Sequence, residues 1–96
     1  MTEERIIEGV TFKTAVLPTA NSIILLIQGA KANLGCGYFS MAAAEKMKDR
    51  FAIVRGVSTI EEVLAAPVAD MSPEAAACGV TVGMKGQDAL LLMEKK

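Results

Sequence analysis

Hydrophobic and polar positions divide the chain into two styles. Between Val10 and Lys13 apolar and polar residues alternate, and the run continues to Leu17, the period-two pattern of a strand with one covered face. Pro18-Thr19-Ala20-Asn21 is turn chemistry. Ser22 to Gln28 is β-branched and apolar at consecutive positions, as in a strand covered on both sides. A second turn at Gly29-Ala30-Lys31 leads to a third strand over Asn33 to Phe39.

From Ser40 the period changes. Ser40 is placed to cap a helix whose apolar positions Met41, Ala44, Met47 and Phe51 recur every three or four residues. Phe51 to Arg55 then reads as a short buried strand stopped by Gly56. Thr59-Ile60-Glu61-Glu62 is a capping box, opening a helix that buries Ile60, Val63 and Leu64 and ends before Pro67. Val68 to Met71 reads as a strand, and Ser72-Pro73-Glu74 opens a further helix that Gly79 closes. Val80, Val82 and Met84 alternate as a last strand before a helix over Gln87 to Lys95. Three strands followed by α-β-α-β-α-β-α predict a mixed α/β (α+β) fold: an N-terminal antiparallel three-strand meander, then alternating helices and short strands, in one layered domain. That single domain is expected to span residues 1–96, with 1–9 a flexible or interface-forming N-terminus.

Composition adds an expectation about assembly. Of the 96 residues, 52% are hydrophobic, and mean hydropathy is +0.39. A domain of this size buries only roughly 60–65% of the surface of its unfolded chain. Long aliphatics such as Ile23 to Ile27 and Leu90 to Leu92 exceed what so small a core hides easily. The surplus predicts a homo-oligomer.

Charge argues against nucleic acid as a partner. Ten basic and eleven acidic residues are spread along the chain, giving a net charge of −1. The densest basic stretch, Lys46 to Arg50, is broken by Asp49 and has no aromatic rings interleaved. The longest apolar run is five residues, too short to span a membrane. Met1 to Arg5 is acidic and leads into no apolar signal segment, so a cytoplasmic location and free thiols at Cys36 and Cys78 are expected.

The chemistry available is narrow. Without histidine there is no Ser-His-Asp or Cys-His arrangement, and two separated cysteines do not make a zinc site. No phosphate-binding loop or dinucleotide fingerprint occurs, and no cofactor or metal is implied. Two segments remain. Gly35-Cys36-Gly37 precedes the helix capped by Ser40, where a helix dipole favours the thiolate and glycines allow close approach of a ligand. The plainer reading makes Cys36 a small buried hydrophobe, and Cys78, within an alanine run, a packing residue. Arg55-Gly56-Val57-Ser58-Thr59 joins a strand end to a helix start, where Arg55, Gly56, Ser58 and Thr59 are candidates to hold a carboxylate or phosphate. Glu61 and Glu62 weigh against that role, because they already occupy the positive helix end.

At these two segments the chain resembles the YunC-like domain family. The resemblance lies in Cys36-Gly37-Tyr38 and Gly56-Val57-Ser58-Thr59 with Glu61, Glu62 and Leu64. It continues through Ser72, Ala76, Gly79-Val80, Gly83-Met84, Gly86 and Ala89-Leu90, running from about Val10 to the C-terminus. It implies an α/β domain whose N-terminal β region is associated with tetramer formation, and it carries over no catalytic residue. Two readings follow from the sequence. One is a non-catalytic homo-oligomeric domain, a small-ligand binding or accessory module. The alternative is a thiol-dependent enzyme or redox protein using Cys36, with an anion site near Arg55 and Thr59.

Overall fold

A computed structural model describes residues 2–96. Its spine is one six-stranded sheet in sequential order, built from β1 (Thr2–Ile7), β2 (Val10–Pro18), β3 (Ile23–Gln28), β4 (Ala32–Gly35), β5 (Arg50–Ile53) and β6 (Asp70–Met71). Strands β1 to β4 form an antiparallel meander, β5 runs parallel to β4, and β6 pairs antiparallel with β5. The helices are α1 (Met41–Met47), α2 (Ile60–Ala65), α3 (Pro73–Ala77) and α4 (Gly86–Lys95). The α+β class expected from the sequence is what the chain adopts.

The N-terminus is more regular than its composition suggests. Thr2–Ile7 pairs with β2 over six residues, so the meander has four strands. Its hairpin turns on Glu8 and Gly9, both at positive φ (49° and 81°), the backbone a two-residue turn needs to match strand twist. A two-residue turn between Ile7 and Val10 fixes the register, and Ile7 falls on the core side.

Register also decides what each strand buries. Phe12, Leu25, Ile27 and Leu34 project to one face and are fully buried with Val63, Leu90 and Met93. Helices α2 and α4 supply those last residues, so they cover that face. Gly86 lets them meet closely, since a Cβ there would lie 2.5 Å from the Val63 carbonyl oxygen. The other face of β2 and β3 carries the cross-strand pairs Ala15–Leu26 and Leu17–Ile24, with Ile6 further out on β1. None of these five joins the core; Leu17 is 57% and Ile6 72% exposed.

Several local expectations need correcting. Val80, Val82 and Met84 form no strand: Gly79 (φ 101°) and Gly83 (φ 93°) turn the chain, and pairing is reduced to a single bridge between Pro67 and Lys85. Val80 is buried while Val82 is 68% exposed, so the alternation has no common face. The third strand ends at Gly35 rather than Phe39, because a turn closed by the Phe39 amide on the Cys36 carbonyl takes over (3.2 Å). Ser40 occupies the cap position of α1 without a side-chain hydrogen bond. Of the apolar positions assigned to α1, only Ala44 is buried; Met47 is 70% exposed and Phe51 lies on β5.

The capping residues further on behave as their chemistry dictates. Thr59 Oγ1 accepts from the Glu62 amide (3.1 Å), and the Glu62 carboxylate reaches back to the Ser58 amide (2.6 Å). Ser72 Oγ accepts from the Ala75 amide (3.2 Å) and the Phe51 amide (3.0 Å), and donates to the Asp49 carbonyl (2.6 Å). That hydroxyl, with no exposed surface, ties α3 to β5.

Candidate functional site

Cys36 follows the last residue of β4, and its amide donates to the Leu25 carbonyl (3.1 Å). The sulfur turns toward β3, where it accepts from the Leu25 amide (3.3 Å) and lies 3.9 Å from the Ile23 carbonyl. It is 5% exposed. Cys78 is likewise buried, and both thiols are free.

The two segments singled out from the sequence meet here. Cys36, Gly37, Gly56 and Val57 line a shallow surface cavity of about 270 Å³, with Ser22 and Tyr38 at its edge. Gly56 needs its glycine, with φ at 71° in the left-handed region. Arg55 is exposed and lies across Gly37, its Nη1 3.3 Å from where a Cβ would stand. Gly35 plays a different part. The Phe39 and Phe51 rings close over it, 5.4 Å apart between centroids, so it serves packing.

Ser58 and Thr59 are directed elsewhere. They line a second, larger cleft of about 390 Å³ between β1 and the start of α2, opposite Glu3, Glu4 and Arg5. Between these walls lie Thr14 and the apolar residues Val16, Leu25 and Ile60. Arg5 spans it in an ion pair with Glu61, and the guanidinium holds the Glu61 carboxyl below the usual glutamate range. At the α2 start, the Ser58 and Glu62 amides are already bonded to Glu62 and Thr59. Arg55 therefore lies beside Gly37 of the first concavity, while Thr59 lines the second.

Sequence reasoning passed over Arg5 and Glu94. Arg5 sits in a segment with no motif, and only strand register brings it opposite α2. Glu94, near the end of α4, places its carboxylate in the β3–β4 turn and accepts from the amides of Ala30 (2.8 Å), Lys31 (2.8 Å) and Ala32 (3.0 Å). Burial raises its pKa, but these three donors and the Lys31 charge outweigh burial and hold it below the usual 4.5. Among the described residues, no three acidic or sulfur side chains gather as a metal site, and no helix is long and apolar enough to cross a membrane.

A sequential six-stranded sheet, parallel only at β4–β5 and accompanied by four helices, defines a small α+β domain. The chain belongs to the family described as Domain of unknown function (DUF1805), whose model matches residues 35–93, from Gly35 beside the thiol to the last turns of α4. It is 31% identical over 93 residues to the "Uncharacterized protein YunC" of Bacillus subtilis (strain 168), covering 93% of this chain and 92% of that one. The fold is also that of a crystal structure of a protein of unknown function, TA1206 from Thermoplasma acidophilum. The TM-score is 0.92 at 27% identity, over 97% of this chain and 91% of that one.

Proposed function

We propose that the chain works as a non-catalytic homo-oligomeric domain, a small-ligand binding or accessory module assembled through its N-terminal strands. One observation carries this reading: Ala15, Leu17, Ile24 and Leu26 make a contiguous apolar face on β2 and β3, turned away from the core. An uncovered sheet face of this kind is the natural seat of a second subunit. The tetramer implied by the resemblance is the preferred state, and the cytoplasm the expected location.

Size-exclusion chromatography with light scattering tests the assembly at micromolar concentration. The native chain is expected to run as a multimer, and Leu17→Lys with Ile24→Lys to run as a folded monomer. A native chain that is monomeric throughout that range overturns the proposal.

A second reading, thiol chemistry at Cys36, draws on the cavity that Cys36 shares with Gly37 and Gly56 and on Arg55 beside it. It requires native Cys36 to react with a thiol probe much faster than Cys78. Equal, slow labelling would leave Cys36 as the packing residue its hydrogen bonds to β3 describe.

A further inference from the structure

We infer that the cleft between β1 and α2 is a binding site for a free α-amino acid with an aliphatic side chain. The inference rests on the ligand-binding half of the proposed function and names its site and ligand class. Three properties of the cleft point the same way.

Part of its floor is apolar. Val16 and Ile60, both partly exposed, offer branched aliphatic surface beside Thr14, in a space of about 390 Å³ that holds an amino acid with room for water. Its walls carry both signs of charge: the Arg5 guanidinium on β1, and the carboxylates of Glu3 and Glu4 on β1 and Glu61 on α2. The two walls are joined by a replaceable contact. The Arg5–Glu61 pair has side chains 34% and 69% exposed, so it contributes little to stability and costs little to open.

A zwitterion satisfies both halves when it enters. Its carboxylate takes the Arg5 fork, a planar two-donor match, and its ammonium takes Glu61 and Glu3. Arg5 and Glu61 each exchange one partner for another, and the ammonium also meets the acidic wall of β1. The side chain displaces water from the apolar part of the floor. A simple carboxylate leaves Glu61 facing the carboxylates of β1, whereas a simple amine leaves Arg5 without its partner. Neither matches the cleft as the zwitterion does.

Amide-resolved NMR titration of the full chain tests this, with L-leucine, 4-methylpentanoate (no ammonium) and isopentylamine (no carboxylate) as probes. Leucine is expected to shift Thr14, Val16, Ser58 and Ile60 saturably, with each analogue at least about tenfold weaker for the loss of one charge-assisted contact. Arg5→Gln should abolish the leucine response. Glu61→Gln, on an exposed helix surface and so safe for folding, should weaken leucine yet strengthen 4-methylpentanoate, because it frees Arg5 from its partner.

Silence of the cleft amides up to roughly 10 mM leucine overturns the inference. So does isopentylamine binding as tightly as leucine, which would reveal mere attraction to acidic residues. Shifts confined to Ser22, Cys36 and Gly56 overturn it too, while leaving ligand binding by the domain intact. The oligomer measurement is independent of all three.

Discussion

Replacing Ser72 by alanine removes one oxygen and three hydrogen bonds. The hydroxyl caps α3 at the Ala75 amide, accepts from the Phe51 amide of β5, and donates to the Asp49 carbonyl ahead of that strand. Loss of an N-cap alone costs about 1 kcal/mol. A buried amide left without its acceptor adds about 1–3 kcal/mol, and the Phe51 amide sits against a residue with no exposed surface. Together these give about 2–4 kcal/mol, or a fall in Tm of roughly 10–25 °C for a chain of this size. Thr59→Ala is the internal control. It removes a cap of the same type at an exposed site, where water replaces the lost bond, and should cost about 0.5–1 kcal/mol. Urea denaturation of both variants at one protomer concentration measures the difference, with an unchanged slope confirming that only stability moved. A Ser72→Ala midpoint no lower than that of Thr59→Ala would refute the argument that burial amplifies the cap.

Three further outcomes follow from named contacts. Gly86→Ala places a Cβ 2.5 Å from the Val63 carbonyl oxygen and 3.2 Å from Leu34 Cδ2, so it should destabilise by about 1–3 kcal/mol; helix propensity alone predicts the opposite sign, and a thermal melt decides. Glu94→Gln exchanges one acceptor oxygen for a donor that faces the Ala30–Ala32 amides, and should lower stability at neutral pH by about 1 kcal/mol, discounted for partial exposure. Because the folded Glu94 pKa is depressed, its contribution is complete above 4.5 and fades as pH falls through the lower folded value. The two melting curves should therefore converge in acid, and a gap that persists or widens there would contradict the carboxylate's role. Gly29→Ala crowds the same carboxylate and the Phe12 ring, 2.9 Å away, and should depress the melting point while also flattening the Glu94-dependent part of the pH profile.

The candidate sites show where sequence reading stops. Cys36 and Gly56 were visible as separate motifs, and the parallel pairing of β4 with β5 set them on one cavity. The Arg55–Thr59 run read as one anion cradle, but the chain turns at Gly56, with Arg55 against Gly37 on one side and Ser58 and Thr59 in the β1–α2 cleft on the other. Arg5 carried no signal, because its partner Glu61 lies fifty-six residues on. Local patterns cannot report a contact made by closing so long a loop.

What the sequence determined by itself were features whose cause is local. The capping box at Thr59, the Ser72-Pro73 helix start and the Gly79 stop depend on neighbours within a turn, and each formed where its residues placed it, whereas the apolar run of β3 formed a strand with only one of its two faces in the core. The tertiary structure decided the rest. It gave Thr2–Ile7 a strand through pairing with β2, and denied one to Val80–Met84, where two glycines at positive φ bend the backbone away from a ladder. It also decided which apolar residues became core. Alternation names two faces of β2 and β3, and only the packing of α2 and α4 against one of them leaves Leu17, Ile24 and Leu26 on the other.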